Sequence, residues 1–186
     1  AALAAAAGIT CLGGEAAAAV YTVTYEGFAS GSDFGTFGFD GGVVDAAFKA
    51  VFRVNPDQPG ASSYDAGSES QTYGGGAASP VTATLTINGV TTQLFGMSLG
   101  SAYEANYPAF FSDAQHVAND SEDESYSDED GFHFLFHERL LHLGVSSELH
   151  TLSDGDFRTA PLTHVIDGSE TLTGRFFDRR TTDRCD

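Results

Sequence analysis

The sequence predicts an all-β protein: an antiparallel β-sandwich, jelly-roll-like, with long Gly-, Ser- and Asp-rich loops. Three observations lead there. Apolar residues recur at every second position in several stretches, as half-buried strands require. The 186 residues include 22 Gly and 15 Phe but no Trp, with abundant Ser and Thr, a composition of strands and turns more than of helices. Asn88-Gly89 sits between two alternating runs and supplies the positive φ angles of a two-residue hairpin turn.

The elements follow in chain order. Residues 1–19, AALAAAAGITCLGGEAAAA, read as the apolar end of a secretory signal, with Ala17 and Ala19 placed for cleavage before Val20, or as a small-residue arm of the mature chain. Residues 20–186 have the length of a single sandwich domain. YTVTY alternates from Tyr21. Ala47 to Val54 sets Phe48, Ala50, Phe52 and Val54 on one face, with Lys49 and Arg53 on the other. In VTATLTINGVTTQLF the turn places Ile87 opposite Val90, Leu85 opposite Thr92 and Ala83 opposite Leu94. Long loops are expected from Phe28 to Gly42 and from Asn55 to Pro80. Further strands are expected near Gln115 to Asn119, Phe132 to Glu138, Leu162 to Ile166 and Thr171 to Phe177. Residues 132–143 also fit helical spacing, and periodicity alone leaves both readings open.

Charge narrows the partners. With 26 acidic against 8 basic residues the net charge is -18, which repels nucleic acid and anionic lipid. No stretch is long and apolar enough for a membrane span.

Three motifs bear on chemistry. The run NDSEDESYSDED offers Asp120, Glu122, Asp123, Glu124, Asp128 and Asp130 as candidate calcium ligands, since calcium takes several oxygens on a flexible loop. An EF-hand does not fit, because its register puts Tyr126 first and His137 at the bidentate twelfth place. The competing reading is a hydrated acidic turn between two strands, and it is the preferred one. GMSLG matches G-x-S-x-G around Ser98, but its preceding strand belongs to a hairpin rather than a parallel sheet. His133 and His137 share a face, whereas His116, His142, His150 and His164 are scattered and read as polar-face histidines. Asn119-Asp120-Ser121 is a glycosylation sequon.

YTVTYEGFASGSDFGTFG, AAFKAVFRV, YGGGAASPVTATLTINGVTTQLFG and the acidic HVANDSEDESYSDEDGFHF occur in this order. Together they resemble the secreted proteins of Gram-negative bacteria that carry a PEP-CTERM sorting tail. The resemblance runs from Val20 to Phe177 and implies export with a surface or matrix role. It brings no catalytic residues. The final residues, FFDRRTTDRCD, lack the tail's tripeptide, apolar helix and basic cluster, so membrane sorting is not implied.

The leading functional expectation is a secreted, non-enzymatic surface or extracellular-matrix structural protein, self-associating as a subunit of a filament or other assembly. The alternatives are a calcium-dependent carbohydrate-binding module, whose Tyr and Phe stack on glycans, and a serine hydrolase using Ser98. No cofactor other than calcium is expected. In an oxidising compartment Cys11 and Cys185 are candidates for a disulfide, within one chain or between successive subunits.

Salt is expected to stabilise the protein, because counterions screen repulsion across so acidic a surface. Melting temperature measured from low to molar sodium chloride checks this, and a flat profile contradicts the screening argument.

Overall fold

The computed structural model describes residues 4–8, 19–34, 37–38, 40–107, 112–128, 131–149, 153–161, 164–165 and 170–185. Its strands are β1 (Ala4–Gly8), β2 (Tyr21–Phe34), β3 (Asp40–Val54), β4 (Ser62–Asp65), β5 (Glu69–Gly74) and β6 (Val81–Ile87). They continue with β7 (Val90–Leu94), β8 (Leu99–Asn106), β9 (Ser112–Asp128), β10 (Gly131–Ser147), β11 (His164–Val165) and β12 (Glu170–Cys185). A 3-10 turn spans Gly76–Ala78. The first sheet has the order β11-β1-β2-β3-β6-β7 and the second β12-β10-β9-β8-β5-β4, six strands each. Every recorded pairing is antiparallel. The two sheets pack face to face, and the fold is an all-β sandwich. Among the described residues no helix is long and apolar enough to cross a membrane.

The core lies between the inner faces. From the first sheet come Tyr21, Val23 and Tyr25 of β2, Ala50, Phe52 and Val54 of β3, and Val81, Ala83, Leu85 and Ile87 of β6. Ala102, Ala114, Ala118, Leu141, Leu143 and Val145 face them from the second sheet. Bulky residues on one side thus meet mostly small ones on part of the other, which lets the layers interdigitate. The hairpin at Asn88-Gly89 has the expected register, with φ of 52° and 75° at its two turn residues.

Several expected loops are strands instead. Phe28 to Phe34 lies in β2 and Asp40 to Gly42 in β3, paired with each other, with a register shift between Ala29 and Gly31 and the left-handed Asp45 opposite it. Asn55 to Pro80 contains β4, β5 and the 3-10 turn. In both, glycines depress local strand propensity, yet antiparallel partners satisfy the backbone and decide the outcome. The acidic run is likewise no turn: through Asp128 it belongs to β9, paired with β10. The helical alternative for 132–143 is excluded, since all of it lies in β10. Of the strand expected at Leu162 to Ile166, only His164 and Val165 are described as β11. Ala4–Gly8 of the N-terminal arm pairs with β2 and β11 of its own chain.

Two passages between the sheets cross each other, from β5 to β6 and from β7 to β8, and glycine makes the crossing tight. Gly76 N donates to Met97 O at 2.8 Å. A Cβ on Gly75 would lie 2.8 Å from Ser98 O, and one on Gly100 would lie 2.8 Å from Val81 O and 2.0 Å from Ser79 Oγ. YGGG and GMSLG are therefore two halves of one interlock. Gly100→Ala is expected to destabilise by about 1–3 kcal/mol through overpacking. Gly31→Ala, where a Cβ meets nothing within 4 Å, should change little. Urea denaturation of the two variants separates them, and equal stability would refute the interlock.

Candidate functional site

The structure places the candidate calcium ligands from Asp120 to Asp128 along one strand, β9. Strand alternation puts Asp120 and Glu122 on one face of β9 and Asp123 on the other. Backbone placement carries Glu124 and Asp128 onward along the same strand, and Asp130 lies outside the described residues. Among the described residues no three His, Cys, Asp or Glu side chains form a group able to hold a metal ion. Asp120 is only 4% exposed and already committed. Its Oδ1 and Oδ2 accept from Phe95 N at 3.0 and 2.9 Å, its Oδ1 accepts from Met97 N at 2.9 Å, and Arg139 Nη2 reaches Oδ2 at 3.4 Å. A buried carboxylate needs such partners, and these fasten the β7–β8 passage to β9.

Ser98 sits in that passage, not on a strand-to-helix elbow. Its Oγ accepts from Ser121 N at 2.9 Å and also hydrogen-bonds Ser121 Oγ, and β8 begins at the next residue. Asn119 of the sequon lies inside β9, where its Nδ2 donates to Glu138 Oε1 at 3.2 Å. Cys185 ends β12 in register with Phe132, and Cys11 lies outside the described residues.

The histidines do not share one role. His137 Nε2 bonds Asp178 Oδ1 at 2.8 Å, and His142 is half-buried with its pKa lowered by burial and by Arg175. His116 departs from the polar-face expectation: it is fully buried, and its Nδ1 is 2.8 Å from Tyr25 OH. Burial pushes the Tyr25 phenol far up, so its O–H donates to Nδ1 and the remaining His116 proton sits on Nε2. Two residues along the adjacent strand, on the same inner face, stands Glu104, 1% exposed. Burial drives its pKa up to about 9, opposed by a 2.6 Å bond donated by Ser153 Oγ. Tyr21 OH donates to Phe157 O at 2.9 Å, and Ser70 Oγ donates to Gly155 O at 2.7 Å, pinning residues 153–161 over this end of the core. The signal for this cluster was present in YTVTY, because tyrosines at core parity demand polar partners.

A cavity of about 410 Å³ opens between the sheets beside Phe28, Phe48, Ile87, Leu143 and Phe176, and Arg175 is the one ionisable residue of its described lining. Tyrosine and glutamine side chains gather elsewhere, on the outer face of the second sheet. There Tyr64, Gln71, Tyr103, Gln115, Gly144 and Thr173 stand directly opposite one another across β4, β5, β8, β9, β10 and β12. A Cβ on Gly144 would lie 2.8 Å from Gln115 Cγ, so the glycine lets that side chain lie flat. Glu69 anchors the tyrosines at one end: its carboxylate accepts from Tyr103 OH at 2.9 Å and also from Tyr64 OH and Tyr107 OH. Burial and the Glu69 carboxylate together push the Tyr103 phenol up to about 12. Gln71 Nε2 donates to Ser101 Oγ at 2.9 Å, and Tyr73 stands on the same face, 43% exposed.

The fold defines the class: a two-sheet antiparallel β-sandwich. Comparison with protein-family models, curated proteins and solved structures finds no match.

The buried pair sets a pH optimum. His116, lowered from 6.5 to about 3, makes stability rise with pH between those values, because only the unfolded chain binds that proton. Glu104, raised from 4.5 to about 9, makes stability fall over that range, because only the folded chain keeps its proton. The two slopes, each about 1.4 kcal/mol per pH unit, cancel where they overlap. Their joint contribution is therefore greatest from pH 4.5 to 6.5. Glu104→Gln should flatten the fall of melting temperature on the alkaline side, and a variant with the parent's alkaline slope would contradict the assignment.

Proposed function

We propose that the protein is an exported, non-enzymatic component of a cell surface or extracellular matrix that works through the exposed face of its second sheet. One observation carries this reading: Tyr64, Gln71, Tyr103 and Gln115 stand in one row across four strands on the outer face, Tyr64 exposed and the others half-buried. The excess of acidic residues supports it, as a surface that stays hydrated in a saline medium. So does the resemblance of Val20 to Phe177 to secreted sorting-tail proteins. The self-association expected of such a component is supported by β12, a strand of 16 residues that ends its sheet among the described residues. The end of a sheet is where a second chain can add a strand.

Localisation tests the reading. In the organism that encodes the chain, antibody should label intact cells or shed matrix, and protease added outside should remove the signal. A protein recovered only from the cytosol would sink it. Sedimentation velocity with and without reductant tests assembly, and a monomer at all concentrations in both would remove that part.

A further inference from the structure

We propose that the outer face of the second sheet binds a neutral polysaccharide, laid across the strands over Tyr64, Gln71, Tyr73, Tyr103 and Gln115. The inference rests on the reading of this face as the working surface and adds its ligand.

The argument begins with spacing. Tyr64 and Tyr103 are in one cross-strand row, separated by Gln71 on the strand between them. Two strand spacings, about 9.5 Å, therefore separate their backbones. Tyr73 lies on the strand of Gln71, two residues along and on the same face. Tyr64 and Tyr103 thus flank β5 with their hydroxyls on Glu69, while the Gln71 amide turns to Ser101 in the row of Tyr73, and Gln115 lies beyond Tyr103. A sugar ring has a face of C–H bonds, which suits the electron-rich face of a phenol, and an equator of hydroxyls, which suits an amide that both donates and accepts. Phenols and amides spread over β4, β5, β8 and β9 match a polymer of sugars better than a single small molecule. A compact ligand would also call for a concave pocket, whereas these side chains extend across four strands.

Orientation is prepared in advance. Tyr64, Tyr103 and Tyr107 give their hydroxyls to Glu69, and Gln71 is held by Ser101, so less side-chain freedom is lost on binding. Charge then chooses among polymers. Glu69 and Asp113 lie in the row beside the tyrosines, on a chain of net charge -18, and this field opposes anionic polysaccharides and nucleic acids. A neutral chain meets no such barrier. No metal enters the contact, in contrast to the calcium-dependent binding expected of the acidic run.

Affinity electrophoresis tests the inference with the whole chain. Native gels are cast with hydroxyethylcellulose, xylan or α-mannan, with alginate as the anionic comparison. At least one neutral polymer should retard the protein, alginate should not, and chelator should leave the retardation unchanged. Tyr73→Ala should weaken it about fivefold, the scale of one aromatic contact. Gln71→Ala should weaken it as well, with both variants keeping the parent's melting temperature. Tyr73 is exposed, and a variant melting early is replaced by Tyr73→Ser to keep the comparison valid. The proposal is overturned by free migration in all three neutral gels, by retardation in alginate alone, by loss of retardation with chelator, or by full retardation of both variants. Free migration of a protein found at the cell surface removes the ligand and leaves the surface reading standing. A cytosolic location removes the surface reading whatever the gels show.

Discussion

The carboxylate of Asp120 holds the place where the chain changes sheets, and the arrangement of both layers depends on it. A sandwich has no backbone ladder between its sheets, so their relative position rests on side-chain contacts and on the passages that connect them. Here the β7–β8 passage leaves Phe95 N and Met97 N pointing away from any strand partner, and Asp120 takes both. Arg139 on the next strand balances the charge. The β5–β6 passage lies against the same segment through Gly75 and Gly76. Each contact is modest, but together they set one offset between the sheets, and the core registers follow from that offset.

A second polar device sits deeper. Tyr25 meets His116 by a hydrogen bond, and Phe52 touches both, edge-on to Tyr25 with centroids 5.8 Å apart and tilted against His116 at 5.5 Å. An apolar core tolerates many packings of similar energy, whereas a buried hydrogen bond is satisfied in few. The Tyr25–His116 bond joins β2 of the first sheet to β9 of the second, so it favours a single alignment of the layers. Glu104 and Ser153 do the same for residues 153–161. Part of the stability is thereby tied to groups whose charged forms the core excludes.

The legible parts of the sequence were those in which local pattern and tertiary pairing agree. Ala47 to Val54 and the Asn88-Gly89 hairpin alternate cleanly, and the structure keeps both faces and register. Where the two conflict, pairing wins. ANDSEDES has the composition of a solvated turn, yet β8 lies on one side of its first residues and β10 runs along all of them. FASGSDF and DGGVV look like loops because glycine is a poor strand former, and each becomes a strand because the other is its partner. The acidic run carries no alternation of apolar residues, so its place in β9 was set by pairing alone. His116 was hidden because a lone histidine carries no periodic signal of its own. The outer tyrosine row is a product of register among strands distant in sequence, which no single stretch displays.

The second sheet divides its charge as it divides its faces. β10 lies between the acidic β9 and the arginine-bearing β12, with Glu138 opposite Arg179, Arg139 opposite Asp178 and Glu122 opposite His137. Opposite charges across neighbouring strands stabilise such a ladder, so a run that would repel itself as a loop is held as a strand. The other half, β4, β5 and β8, carries Tyr64, Gln71, Tyr73 and Tyr103. A flat aromatic face and an open strand edge invite unspecific association, and charge nearby is the usual protection. Placing the charged ladder in the same sheet protects the aromatic half without covering it. The acidity of the chain and the exposure of Tyr64 and Tyr73 are thus compatible within one sheet, because the charged ladder and the tyrosines occupy different strands.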